Sequence, residues 1–110
     1  MTPSPEQPGA PIVVQVDEAL APIVPAYLDN RRRDLPAMRA ALARADFEAV
    51  ALLAHRMKGT GQGYGFSAIS GIGARLEKAA QAQDAPSVAD CLDELEDYLA
   101  RIEVVYGAEN

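Results

Sequence analysis

The chain has no tryptophan, one cysteine, one histidine and few aromatic residues of any kind, which make up 5% of its 110 residues. Because Cys91 is alone, an intramolecular disulfide is impossible, and one cysteine with one histidine cannot form a zinc site of the usual composition. No apolar run approaches the roughly eighteen consecutive residues that a membrane span requires. These absences exclude disulfide-stapled, zinc-stabilised and membrane-spanning proteins.

Basic residues are also scarce. Ten lysines and arginines stand against sixteen aspartates and glutamates, which gives a net charge of −6, and the pI is near 4.6. Nucleic acids and anionic membranes both attract basic surfaces, so we expect neither as a partner. The start Met1-Thr2-Pro3-Ser4-Pro5 lacks the basic and apolar regions of a secretory signal. We therefore expect a cytoplasmic protein.

The apolar residues that are present favour helices. The hydrophobic fraction is 49%, and much of it is alanine rather than the β-branched and aromatic residues typical of sheets. A chain of 11.7 kDa is the size of one domain with a single core. Residues 1–15 begin with a proline-rich stretch that has little to bury, so we predict a disordered or extended lead-in. Residues 16–110 are predicted to form one all-α domain.

The spacing of apolar residues predicts helices from Asp17 onward. Asp17 is suited to cap a short first helix, which Pro22 and Pro25 should limit or redirect. A longer helix is predicted from Pro25 to Ala45, and Pro36 inside it removes one backbone donor. This second helix is therefore expected either to kink at Pro36 or to break there into two pieces.

Three further helices follow, each with its own start signal. Asp46 is a suitable N-cap for a helix from Phe47 to about Gln62. Ser67 can cap the next helix, which runs through Ala80. The last helix starts at Asp84-Ala85-Pro86-Ser87, has the apolar stripe Val88, Leu92, Leu95, Leu99, Ile102 and Tyr106, and stops at Gly107. Because the connections are short, we predict an antiparallel four-helix bundle with a short additional N-terminal helix.

The third predicted helix carries the only histidine. Its core stripe on a helical wheel consists of Phe47, Val50, Leu53, Ala54, Met57 and Gly61. His55 lies away from that stripe, between Lys58 and Gly59, and is expected to point into solvent. A glycine inside a helix costs about 0.5–1 kcal/mol relative to alanine. Gly59 is therefore interpreted as a place where another surface approaches, with close helix packing as the alternative, and Lys58 taken alone would be a solvated charge.

His55 also begins a spaced pattern: Lys58 follows after three residues, Gly59 after four, then the small residue Thr60, and Gly65 after ten. This pattern resembles the histidine-containing phosphotransfer (HPt) domain family of bacterial multistep phosphorelays. The likeness covers roughly residues 17–106, including the run Ala74-Arg75-Leu76-Glu77 in the next helix. The resemblance implies a four-helix bundle core that carries phosphate between receiver domains, or between a kinase and a receiver.

The resemblance also implies roles for single residues. His55 would be the phosphoacceptor, and a neutral imidazole is indeed a good nitrogen nucleophile near neutral pH. Lys58 would neutralise phosphate charge. Gln62 would donate a hydrogen bond to a phosphate oxygen or orient the ring, with a plain surface glutamine as the alternative. Partner docking is expected on Ala51, Leu52 and Gly59; for Leu52 the alternative is a partly buried flank of the bundle.

The remaining machinery is expected from a partner. The chain has no phosphate-binding loop with its lysine, no kinase signature and no convincing carboxylate cluster for Mg²⁺. We therefore expect no bound cofactor and no metal site on this chain, with Mg²⁺ on the partner receiver domain. The protein would be a monomeric phosphocarrier rather than an autonomous enzyme, and its partners would be receiver domains of response regulators or hybrid histidine kinases.

Two other functions remain open. The same amphipathic helices suit a helical interaction module that binds a signalling partner without carrying phosphate. A metal-binding bundle is the weaker alternative, because the chain has no second histidine and no paired Glu-x-x-His motif.

Overall fold

The computed structural model describes residues 10–107, so the first nine residues of the predicted lead-in lie outside it. Four helices pack together: α1 is Val24–Ala43, α2 is Phe47–Gly61, α3 is Ser67–Gln81 and α4 is Ala85–Arg101. Two strands flank them, β1 at Ile12–Asp17 and β2 at Ile102–Gly107, and short 3₁₀ turns span Glu18–Leu20 and Gln62–Tyr64. The prediction of a four-helix core is confirmed.

Each helix contributes an apolar stripe to a single core. α1 packs on α2 and α4, and α3 packs on the same two helices, with the α2–α3 interface the most extensive. The largest side chains that are fully buried include Phe66, Met38, Met57, Leu76 and Leu92. Burying a side chain of this size contributes about 1.5–3 kcal/mol. Within residues 10–107, no helix has both the length and the apolarity needed to cross a membrane.

Two of the predicted helix caps form as expected. The Asp46 side chain accepts the backbone N–H of Ala49 at 3.1 Å, and the Asp84 side chain accepts that of Ser87 at 3.2 Å. The predicted cap of α3 is wrong by one residue, because Ser67 is the first helical residue and Phe66 precedes it without a side-chain cap. The residue that precedes α3 is instead Phe66, whose side chain is completely buried in the core.

α1 continues through Pro36 as one helix, so the predicted alternative of a break into two pieces is wrong. Proline removes the donor that would bond the carbonyl group four residues earlier, which belongs to Arg32. Both residues are exposed, and water can satisfy the freed carbonyl group. The helix tolerates Pro36 because the defect faces solvent.

The ends of the described chain correct the all-α prediction. The short N-terminal helix predicted after Asp17 is absent, and the last helix ends at Arg101 instead of continuing to Tyr106. β1 and β2 form a two-stranded parallel sheet in which Ile12 pairs with Ile102 and Asp17 pairs with Gly107. Both strands are rich in β-branched residues, which favour extended backbone. Asp17 does cap a turn, but it is the 3₁₀ turn, through the N–H of Ala19.

The sheet covers the turn that follows α2. Val16, on the inward face of β1, is 2% exposed, and its methyl carbons lie 3.5 and 3.6 Å from where a Cβ atom on Gly65 would stand. Gly65 has a φ of +92°, a conformation that glycine adopts without steric cost. β1 thus holds the glycine-rich turn against the bundle.

The backbones of α2 and α3 touch at Gly73. A methyl group on Gly73 would lie 2.7 Å from the backbone nitrogen of Lys58 and 3.0 Å from the carbonyl oxygen of Ala54. Gly61 makes the reciprocal contact from α2, where a methyl group would lie 2.7 Å from the backbone nitrogen of Ser70. Side chains larger than hydrogen are excluded at both positions.

Gly73→Ala is expected to lower the free energy of unfolding by about 1–3 kcal/mol, because the added methyl group meets backbone atoms that cannot move independently of α2. Urea denaturation followed by far-ultraviolet circular dichroism measures this change. Gly71→Ala in the same helix is the matched control, since a methyl group there meets nothing within 4 Å. The control should gain about 0.5–1 kcal/mol from helix propensity, and an equal gain in Gly73→Ala would contradict the close contact.

Candidate functional site

His55 projects from the middle of α2 into solvent. Its side chain is 64% exposed, whereas its neighbour Ala54 and the nearby Met57 are completely buried in the core. The predicted orientation of the ring is confirmed. The helix presents one ring nitrogen outward because the apolar stripe of α2 fixes which side of the helix faces the core.

Glu77, on α3, binds both His55 and Lys58. One carboxylate oxygen lies 3.0 Å from the Nδ1 atom of His55, and the other lies 2.9 Å from the Nζ atom of Lys58. Glu77 is the least exposed of the three, at 16%, compared with 43% for Lys58. The carboxylate therefore binds both α2 side chains at the base of the site, where it is largely shielded from solvent, while His55 and Lys58 are open to solvent.

The position of Glu77 follows from the close helix contact. Glu77 lies four residues after Gly73 and so faces the same side of α3, the side packed on α2. His55 and Lys58 are three residues apart on α2 and project from neighbouring turns. Because Gly73 brings the two backbones together, a single short carboxylate can reach both side chains.

The charges at the site favour an ionised Glu77. The hydrogen bond from the Lys58 ammonium, assisted by the one from His55, holds the pKa of Glu77 below its ordinary value, although partial desolvation opposes the shift. A lowered pKa means that this interaction stabilises the fold above the ordinary pKa of glutamate. The stabilisation is lost as the pH falls through the lowered value. At neutral pH the carboxylate is a permanent hydrogen-bond acceptor.

The carboxylate selects the tautomer of His55. An ionised carboxylate can only accept hydrogen bonds, so the Nδ1 atom of the ring must carry the proton. In the neutral ring, the Nε2 atom then keeps its lone pair and faces outward. This arrangement offers a nitrogen nucleophile of defined orientation, with the Lys58 ammonium held on the other oxygen of the same carboxylate.

Gln62 is not brought to the ring. α2 ends at Gly61, and Gln62 lies in the following 3₁₀ turn, where its backbone N–H donates to the Ser70 hydroxyl at 2.7 Å. Ser70 in turn donates to the carbonyl oxygen of Lys58 at 3.0 Å. Among residues 10–107, no hydrogen bond links the Gln62 side chain to His55. Its main chain ties the end of α2 to α3, and the predicted role of its side chain stays a prediction.

The residues predicted for docking surround His55 to different degrees. Leu52 is 53% exposed and Ala51 is half-buried. A methyl group on Gly59 would meet nothing within 4 Å, so this glycine does not serve helix packing. The open surface beside the ring is consistent with an approaching partner, and the docking role stays a prediction.

Thr60 connects the site to α1. Its hydroxyl donates to the carbonyl oxygen of Arg56 at 3.0 Å, so the Tyr27 hydroxyl, 3.2 Å away, is the donor of the second bond. The Tyr27 ring stacks on Tyr64 with the centroids 4.2 Å apart. α1 thus fixes the C-terminal end of α2 and the turn after it.

Glu77 belongs to the run Ala74-Arg75-Leu76-Glu77 that resembles the family, but its role at the site was not predicted from the sequence. A signal was present: Gly73 and Glu77 share one face of α3, and an acid beside a helix-packing glycine faces the neighbouring helix. Recognising it requires knowing that this face of α3 packs on the turn of α2 that carries His55.

The family model of the Hpt domain matches residues 23–104, which covers all four helices and leaves β1 outside. No curated protein and no solved structure matches the chain.

Removing the Glu77 charge is expected to release the ring tautomer. In Glu77→Ala the Nδ1–H form loses its acceptor, so the His55 ring should become a mixture of both neutral tautomers. Long-range ¹H–¹⁵N correlation spectra measure this directly, and the single histidine gives one set of ring signals. Glu94→Ala is the control, because Glu94 pairs with Arg75 between α3 and α4. Ring nitrogen shifts that are identical in Glu77→Ala and the wild type would refute tautomer selection.

Proposed function

Since this chain belongs to the Hpt domain family, whose members perform histidine phosphotransfer in phosphorelays, we propose that His55 is its phosphoacceptor. His55 takes a phosphoryl group from the aspartyl phosphate of a receiver domain, or from a kinase, and passes it to another receiver. The chain acts as a carrier between proteins. The helical module that binds without carrying phosphate is the competing function, and the experiment below separates the two.

One observation carries the proposal: Glu77 holds both the Nδ1 side of the His55 ring and the Lys58 ammonium. A surface histidine without a function needs no such support. Here the ring has a fixed tautomer, an outward Nε2 lone pair and a cation beside it, which are the features a phosphoryl acceptor requires.

The transfer step balances with the groups present. The Nε2 lone pair attacks the phosphorus atom of the partner's aspartyl phosphate. A nitrogen–phosphorus bond forms as the bond between phosphorus and the aspartate oxygen breaks, and the aspartate leaves as a carboxylate. The ring keeps its proton on Nδ1 and becomes positively charged, and the Glu77 carboxylate stabilises that charge. Attack by the aspartate of a second receiver reverses these bond changes and restores the neutral ring.

Lys58 contributes charge to the same step. Its side chain is 43% exposed, so the ammonium group can turn from Glu77 toward the phosphoryl oxygens that arrive at Nε2. Phosphoryl transfer depends mainly on positioning and on neutralising the oxygens of the transferred group. In this proposal the receiver domain supplies the Mg²⁺ and the acidic pocket, while this chain supplies the nucleophile, a cation and a docking surface.

Incubation with a phosphorylated receiver domain is expected to place an acid-labile, alkali-stable label on the wild-type chain and none on His55→Ala. Lys58→Ala should slow the transfer about tenfold, equivalent to about 1.4 kcal/mol of transition-state stabilisation, because one exposed cation is lost. Initial rates against the receivers of the source organism measure both effects.

Lys78→Ala is the matched control for Lys58. Lys78 is an exposed lysine of α3 that lines a groove with Arg75 and Cys91, on the side of α3 toward α4. Its removal should leave the rate unchanged. Label retained in His55→Ala refutes the assignment of the phosphoacceptor. Receiver binding that survives in His55→Ala, without transfer by the wild type, would favour the module that carries no phosphate.

A further inference from the structure

A pocket of about 400 Å³ opens between the start of α2 and the end of α3. We call it the α2–α3 pocket. Its lining includes Phe47, Glu48, Ala51, Ala80, Gln81 and Gln83. Ala80 is buried and Phe47 and Ala51 are half-buried, whereas Glu48, Gln81 and Gln83 are exposed. The pocket therefore combines an apolar floor with a polar rim.

The walls of the pocket are preformed by two tight turns. Ala45 and Gln83 have positive φ angles of 57° and 54°, and each follows a helix that ends at the pocket. In the first turn Asp46 N–H donates to the carbonyl group of Ala41, and in the second Asp84 N–H donates to that of Ala79. These bonds satisfy one carbonyl group at the end of α1 and one at the end of α3.

The polar side chains that remain available on the rim are one carboxylate and two carboxamides, and the carboxamides can donate hydrogen bonds as well as accept them. The Asp46 carboxylate already has partners. It accepts the backbone N–H of Ala49, and its Oδ2 atom lies 3.6 Å from the Nη2 atom of Arg44. Glu48 has no ion pair among residues 10–107, and the Gln81 and Gln83 carboxamides have no hydrogen-bond partner there. A carboxylate with two amide oxygens above an apolar floor suits a long basic side chain, whose stem is apolar and whose head is a cation.

The pocket adjoins the site of phosphotransfer. Ala51, in its lining, lies one turn before His55 on the same side of α2, about 6 Å along the helix axis. The exposed charges of α2 also change sign along the helix. The negative Glu48 lies on the N-terminal side of His55, and the positive Arg56 and Lys58 lie on its C-terminal side. A domain that brings an aspartate to Nε2 must cover this polarised surface, and only one orientation places a cation over Glu48.

We propose that the α2–α3 pocket receives an arginine or lysine side chain of the receiver domain that docks on His55. This contact fixes the orientation in which the receiver approaches. The inference rests on the proposed function and adds the chemistry of the partner surface to it. Complementary charge at an interface sets orientation and suppresses wrong partners, and its contribution falls at high salt.

The test uses the receiver domain that exchanges phosphate fastest with the wild-type chain, with KM and kcat measured separately. Glu48→Arg is expected to raise KM about tenfold with little change in kcat, because it places a like charge against the incoming side chain. Glu48→Gln should raise KM about threefold at low salt, and the difference from wild type should disappear at high salt. Asp90→Arg is the control, since it changes net charge equally from an exposed position on α4.

Phosphoramidate, a small phosphodonor that needs no docked protein, separates docking from chemistry. A Glu48→Arg defect that also appears with phosphoramidate would overturn the inference, because the change would then act on the ring or the fold. An unchanged KM in Glu48→Arg, with transfer intact, overturns the inference and leaves the proposed function standing. If changing a basic residue of the receiver to glutamate restores the wild-type KM in Glu48→Arg, the inference is supported. Labelling by phosphoramidate with no transfer from any receiver overturns the proposed function and the inference with it.

Discussion

The contact between the backbones of α2 and α3 at Gly73 determines the geometry of everything on the outer side of α2. A residue with a Cβ atom at this position would meet the backbone of Lys58, so the two helices would have to separate. Separation would carry Glu77 away from both His55 and Lys58, since the carboxylate side chain is short. The tautomer of the ring, the position of the ammonium group and the shape of the α2–α3 pocket therefore all depend on the absence of one side chain.

Helical spacing and start signals are enough to predict the core of the fold. α2 and α4 have apolar stripes with helical periodicity, and Asp46 and Asp84 cap them in the structure as expected. The strands were missed because their runs are short, and Ile102 and Tyr106 fit the spacing of the helix before them equally well. The pairing of β1 with β2 joins residues far apart in the chain, and nothing in a local pattern reports it.

In the candidate site, too, residues on one helix could be predicted from the sequence, whereas a contact between two helices could not. His55, Lys58 and Gly59 occupy one helix, so their relative placement follows from helical geometry alone. Glu77 acts across an interface between helices, and its reach depends on how closely α2 and α3 pack. Gln62 lies just beyond the last residue of α2, in the 3₁₀ turn, so helical geometry alone does not fix where its side chain lies relative to His55.

The parallel sheet gives the domain a mechanical property. The chain enters β1 at Ile12 and leaves β2 at Gly107. These two residues lie at opposite ends of a hydrogen-bonded ladder about 20 Å long. A force that pulls the chain apart at these points acts along the strands, so it loads the ladder bonds together in shear rather than one after another. Val16 in β1 also packs over Gly65, in the turn that follows α2. Because the sheet resists shear, a force applied at its two ends would have to break the ladder before it could move this turn.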